Sequence, residues 1–154
     1  MVLAVPAAAE GLEGYEVTVQ VVVRDVPRGL LLESLPRTAL VRPGPEFDLG
    51  PDPNPALSIV PVTVDIEGGS IRFDYTVAGG AGGFAEAAFN GYVFGFSPCL
   101  SLTGAEIATA RGIDLNADAL RIVNDELFIN VSALTFTAAT RIEIALDAEP
   151  CPMS

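Results

Sequence analysis

Residues 59–77 read IVPVTVDIEGGSIRFDYTV, and their pattern decides the fold. Val62, Val64 and Ile66 alternate with Thr63, Asp65 and Glu67. After Gly68-Gly69 the alternation resumes, with Ile71, Phe73, Tyr75 and Val77 set against Arg72, Asp74 and Thr76. A period of two marks a strand with one wet face. Gly-Gly suits a two-residue primed turn, because glycine accepts positive φ without a steric penalty. That turn sets the register: Glu67 faces Ser70, Ile66 faces Ile71, Asp65 faces Arg72, Val64 faces Phe73 and Val62 faces Tyr75. All the apolar pairs then share one face. Asp65 and Arg72 oppose each other on the other face, a pair expected to add about 0.2–1 kcal/mol. A slip of one residue would turn the apolar set into water, so the register is strongly specified. A lone hairpin is marginal in water, so its apolar face calls for a second layer.

The sequence upstream supplies candidates for that layer. In 15–24, YEVTVQVVVR, the side chains of Tyr15, Val17, Val19, Val21 and Val23 point one way. Val26-Pro27-Arg28-Gly29 is a turn signal. Leu30, Leu31 and Leu32 with Leu35 fit either a strand or one helical turn. A short strand begins at Thr38, a Pro-Gly-Pro break follows at 43–45, and the prolines of 50–55, GPDPNP, forbid a central strand there.

Downstream, 78–83 (AGGAGG) reads as a flexible loop; it lacks the Lys and Ser/Thr of a phosphate cradle. Residues 84–96 are aromatic and strand-like, with Asn90-Gly91 as either a hairpin turn or a bulge. Strands follow at 100–107, at 120–123 and 126–131 around the turn Asn124-Asp125, at 134–137, and at 141–146 with Ile142, Ile144 and Leu146 inward. No long segment has a period of 3.6. About nine or ten strands at intervals of 8–12 residues predict an all-β protein: an antiparallel β-sandwich, jelly-roll or Ig-like, with little helix.

The chain has 154 residues, enough for one core, so 10–154 is expected to form a single domain. Residues 1–9, MVLAVPAAA, resemble the tail of a secretory signal with a small-residue cleavage site, or else a flexible apolar end. The charge is lopsided: 8 Arg, no Lys, no His, 20 acidic residues, net −12. Nucleic acid and anionic membrane surfaces are poor partners for such a chain. No apolar run reaches the ~18 residues of a membrane span. Yet mean hydropathy is +0.45, and Val22, Val123 and Phe128 fall on nominally wet faces. Contiguous exposed apolar residues of this kind predict a docking surface. Two cysteines in an exported chain predict a disulfide, Cys99–Cys151, closing a loop of about 50 residues and adding about 2–4 kcal/mol.

Several segments resemble a family of exported bacterial proteins, often found near PEP-CTERM-type sorting signals or within large secreted repeat proteins. They are 69–73 (GSIRF), 88–94 (AFNGYVF), Ile113-Asp114, Arg121-Ile122, 129–131 with 134–136, and 41–47 (VRPGPEF). The resemblance covers roughly 15–147. It implies an exported β-rich domain and brings no catalytic set with it. The family's sorting tail has no counterpart in Pro150-Cys151-Pro152-Met153-Ser154.

Few residues point to chemistry. Without His there is no ordinary catalytic triad, and two Cys without His make a poor zinc set. Glu86 and Glu106 are the only carboxylates singled out for a glycosidase pair, with no motif behind them. Asp114, Asn116 and Asp118 copy positions 1, 3 and 5 of a calcium loop, and Asp125 sits at position 12. Against that reading, Ala119 occupies the glycine position and position 12 is not Glu. The aromatics Phe84, Phe89, Tyr92, Phe94 and Phe96 fit core filling better than a sugar platform. The sequence therefore predicts a non-enzymatic, exported accessory or structural subunit, periplasmic or extracellular, that docks on a partner protein and needs no cofactor. The class-different alternative is a carbohydrate- or calcium-binding module.

Overall fold

The computed structural model describes residues 11–53 and 56–151. The segment read as an export-signal remnant, 1–9, lies outside the described residues, as does part of the proline-rich loop at 54–55. Among the described residues there are thirteen strands: β1 (Glu16–Asp25), β2 (Leu30–Glu33), β3 (Arg37–Leu40), β4 (Phe47–Leu49), β5 (Val62–Glu67), β6 (Ser70–Asp74), β7 (Gly82–Gly83), β8 (Phe89–Ser97), β9 (Leu100–Arg111), β10 (Leu120–Val123), β11 (Glu126–Asn130), β12 (Thr135–Phe136) and β13 (Arg141–Pro150). The excess over nine or ten comes from pieces such as β4 and β7. They span three and two residues, too short to show alternation.

The strands form two main antiparallel sheets. One runs β10-β11-β8-β1-β2, with β3 also pairing β1; the other runs β4-β5-β6-β13-β9. The organising hairpin is β5–β6, in the predicted register: Glu67 opposite Ser70, Ile66 opposite Ile71, Asp65 opposite Arg72, Val64 opposite Phe73. Only the first turn glycine is left-handed, Gly68 at φ +60°, the pattern of a type II′ turn. Gly11 packs on this turn so closely that a Cβ there would fall on the Gly68 backbone.

The sheets close over one core. Val62, Val64, Ile66, Ile71, Phe73 and Tyr75 are all at most 1% exposed. Burial at that level contributes roughly 1.5–3 kcal/mol per large side chain. They meet β1 and β8 of the other sheet: Phe73 lies 5.0 Å from the Tyr92 ring and 5.9 Å, edge-on, from Phe94. Tyr75 and Tyr92 join their hydroxyls across the core at 2.9 Å. Ile142, Ile144 and Leu146 of β13 face inward, as predicted.

Two sequence expectations change and one open choice closes. Val77 is 53% exposed instead of inward. The Asp74 carboxylate accepts the Thr76 N–H at 2.8 Å, an Asx turn that ends β6 and starts a 3-10 turn over Thr76–Ala78. Asp65 and Arg72 are opposite in register, but Arg72 reaches diagonally to Glu67 (3.3 Å) and, on its other side, straight across to Glu143 of β13 (3.6 Å). Asn90-Gly91, left open between turn and bulge, lies inside the continuous strand β8. Glycine is required at 91, because a Cβ would overlap the Ile129 carbonyl.

Candidate functional site

Two sides of the sandwich differ. Along β9 and β10 the sheet edges are stitched together: the Asp125 carboxylate accepts the Leu102 N–H at 3.1 Å, and Cys99 is bonded to Cys151 nearby. On the opposite side β2 ends its sheet, with β1 as its only strand neighbour among the described residues.

That edge is built by local chemistry. After β1, Pro27 starts a 3-10 turn over Val26–Arg28, and Gly29 at φ +65° closes it with its N–H on the Val26 carbonyl. Arg28 folds back onto the buried carboxylate of Asp25 at 3.3 Å. The chain then returns as β2, with Leu30 opposite Asp25 and Leu32 opposite Val23. At its end the buried Ser34 donates its N–H to the Val21 carbonyl, and its hydroxyl accepts the Val21 N–H, both at 2.9 Å. In an antiparallel pair the bonded positions alternate. Leu30, Leu32 and Ser34 therefore bond to β1, and the backbone groups of Leu31 and Glu33 face away from it. The Leu35 N–H also faces away, and the Asp52 carboxylate accepts it at 3.1 Å.

The edge is apolar. Seven large apolar side chains are exposed among the described residues. Four of them, Val26, Leu30, Leu31 and Leu35, fall within ten residues, and Leu31 and Leu35 are 56% and 60% exposed. On the inner side, Leu30 and Leu32 form one wall of a cleft of about 680 Å³, with Val21, Val23, Ile59 and Phe84 among the other lining residues. A volume of that order suits a bound side chain or small ligand. Two polar groups at the cleft are engaged: the buried Asn90 amide donates to the Ala85 carbonyl at 2.8 Å, and Tyr92 bonds Tyr75. Burial pushes the Tyr92 phenol up to about 12 and Tyr75 well above 10, so both stay neutral hydroxyls.

The positions predicted to carry a docking surface fare differently. Val22 faces outward but is only 3% exposed, covered among its sheet neighbours. Phe128 is half-buried against Phe89, ring centroids 5.8 Å apart. Val123 is 38% exposed, beside the β10–β11 turn. Of the five aromatics weighed as a sugar platform, Tyr92 and Phe94 lie in the core and Phe84 and Phe96 pack against it; Phe89 sits with Phe128 on the outer face.

The calcium-loop residues do not converge. Asp114, Asn116 and Asp118 line a shallow hollow of about 200 Å³ with Asn130 and Ser132, and the Asn116 side chain accepts the Asp118 N–H at 3.0 Å. Asp125 is elsewhere. Residues 120–123 form β10 instead of continuing a loop, which moves Asp125 about 13 Å along the sheet. There Asn124 and Asp125 take φ of 51° and 61° in the hairpin turn. Asp125 with Cys99 and Cys151 is the one cluster of three potential ligands among the described residues. Its two sulfurs are bonded to each other and are not thiolates, the form that binds metal. Glu86 lines the cleft, whereas Glu106 lies on β9 of the other sheet.

The outer face of the β5–β6–β13–β9 region is a neutralised charge lattice over a hollow of about 530 Å³. Arg72 holds Glu67 and Glu143, Arg141 holds Asp74 at 3.2 Å, and Thr63 donates to Asp48 at 3.1 Å. Asp65 stands within it with one buried carboxylate oxygen, Oδ1, lacking a hydrogen-bond partner. Burial, helped by the charge of Glu67 and opposed by Arg72, raises its pKa. Glu46 is also raised by burial, although its carboxylate caps the Ile66 N–H at 2.6 Å and the Arg42 N–H at 3.2 Å.

Sequence reasoning passed over one signal. Arg24, Arg28, Arg37 and Arg42 fall in a segment holding only Asp25 and Glu33, so 24–42 carries net +2 (4 − 2) and the rest of the chain net −14 (4 − 18). A running charge count would have found the edge that three successive leucines, carrying no period, left ambiguous. Compared with family models, curated proteins and solved structures, the chain matches none.

Proposed function

We propose that the chain is a non-enzymatic docking domain that binds a partner protein through the β2 edge, as an accessory or structural subunit of an exported assembly. The observation that carries this reading is the exposure of Val26, Leu30, Leu31 and Leu35 along β2 and its two flanking turns, on a strand with an open side. Monomeric proteins rarely leave such groups together on an unprotected edge, because an open apolar strand recruits other chains. Export is supported by the disulfide between Cys99 and Cys151, since such bonds persist in oxidising compartments. No helix among the described residues is long and apolar enough to cross a membrane.

The test compares native purification of the wild-type chain with that of the double variant Leu31→Glu, Leu35→Glu. The reading expects a stoichiometric partner with the wild type, its loss from the variant, and similar melting curves for the two chains. A variant that keeps the partner, or a wild type that remains alone, would overturn it.

A further inference from the structure

We propose that what docks on the β2 edge is an extended, acidic strand, added to the sheet beside Leu31 and Glu33. This rests on the docking reading above and specifies the partner's chemistry. Strand addition draws its affinity from main-chain hydrogen bonds and its selectivity from pockets for alternate side chains. The edge offers both. The backbone groups of Leu31 and Glu33 face away from β1, by alternation from the Ser34–Val21 bond. Side chains of an added strand that point inward would lie along the cleft walled by Leu30 and Leu32. Those that point outward would lie beside the exposed Leu31.

Charge selects the sign of the incoming strand. Arg24 lies directly across from Leu31, and Arg28 and Arg37 flank the strand in sequence. Of the basic residues in 24–42, Arg28 has its carboxylate in Asp25; Arg24, Arg37 and Arg42 have no ion pair among the described residues. On the β6–β13 face, by contrast, Arg72 and Arg141 are matched to carboxylates. The fold already completes this edge with an acid where it can: Asp52 accepts the Leu35 N–H. A second copy pairing β2 to β2 about a two-fold axis is disfavoured. With Leu31 opposite Glu33 of the copy, Arg28 would fall beside Arg37, and like charges so placed repel.

The probe is a labelled peptide of about ten residues alternating valine and glutamate, long enough to cover β2, compared with the same peptide carrying lysine for glutamate. Fluorescence anisotropy with the full chain should show saturable binding of the glutamate peptide, at least about tenfold tighter than the lysine peptide and weakened by salt. Amide shifts in NMR should centre on Leu31 and Glu33. Leu31→Pro removes an N–H that no strand of the fold uses, so it should lower affinity at least about tenfold with little change in melting. Arg24→Glu with Arg37→Glu should reverse the preference towards the lysine peptide; both side chains are exposed and without an ion pair among the described residues, so this pair keeps the test decisive if the proline variant fails to fold.

Equal binding of both peptides, no binding, or shifts centred elsewhere would overturn the proposal. A concentration-dependent dimer abolished by Leu31→Pro would instead assign the edge to a second copy and overturn the peptide. If the natural partner is lost from Leu31→Glu, Leu35→Glu but kept by Leu31→Pro and by the arginine reversal, docking stands and strand addition falls. If every variant keeps the partner, both fall.

Discussion

Replacing Tyr75 or Tyr92 by phenylalanine should cost more singly than the pair costs together. The two hydroxyls lie 2.9 Å apart, between side chains that are 0% and 3% exposed. Each phenol is the partner of the other across the two sheets. Removing one leaves a buried hydroxyl unsatisfied, which costs about 1–3 kcal/mol. Removing both leaves two rings of nearly unchanged shape and no orphaned group, so Tyr75→Phe with Tyr92→Phe should be close to neutral. The double-mutant cycle should therefore return a coupling equal in size to the two single costs together, about 2–6 kcal/mol. For a chain of this size each kcal/mol moves the melting temperature by about 2–4 °C.

Alkali provides a second readout from the same pair. Burial holds Tyr92 at about 12 and Tyr75 well above 10, the value of a free phenol. Above pH 10 the unfolded chain releases protons that the folded chain retains. Stability present below pH 10 is thus lost as pH rises towards 12, by about 1.4 kcal/mol per pH unit for each phenol. Urea unfolding at pH 8 and at pH 11 would measure both effects. The wild-type midpoint should fall between those values, and the double variant should lose that part of the fall. Additive single variants, or identical alkaline losses in wild type and double variant, would refute the hydroxyl bridge as a stabilising contact.

Other outcomes follow from the same structure. Asp65→Asn should raise stability at neutral pH by about 0.5–1 kcal/mol in chemical denaturation, because it removes a desolvated carboxylate beside Glu67. The raised pKa of Asp65 means that the folded chain takes up its proton first on acidification, so the advantage of asparagine should shrink as pH falls through the carboxylate range. Cys99→Ser with Cys151→Ser opens a loop with a sequence separation of 52 and should lower unfolding free energy by about 2–4 kcal/mol. Millimolar calcium should leave the melting temperature unchanged against EDTA, because Asp125 is held in the β10–β11 turn away from Asp114, Asn116 and Asp118.

The legible part of the sequence was the part governed by strict alternation between equal faces. Residues 62–74 met that condition, and their register emerged residue by residue. Reading failed where a side chain competed with the backbone. Nothing in the apolar period announces that Asp74 will bond Thr76 and turn Val77 outward. It also failed where a strand has two neighbours: Arg72 meets Glu143 across β13 and Glu67 diagonally, and pairs with these instead of with Asp65. The calcium pattern failed because a linear count of twelve positions does not register a strand, β10, inside it. The β2 edge was hidden for a different reason. Three leucines in a row fit either face, and only the pairing with β1 shows which side of the strand is left open.

The bond between Cys99 and Cys151 also decides how the molecule bears load. Cys151 directly follows β13, and Cys99 sits where the chain crosses from β8 to β9, between the two sheets. Tension arriving from beyond Cys151 passes into that crossing and is shared by both layers, so β13 is not peeled from β9 and β6 one hydrogen bond at a time. Reduced, the same pull would unzip β13 from its free end. A tethered domain would thus be mechanically strong outside the cell and weak wherever thiols are kept reduced.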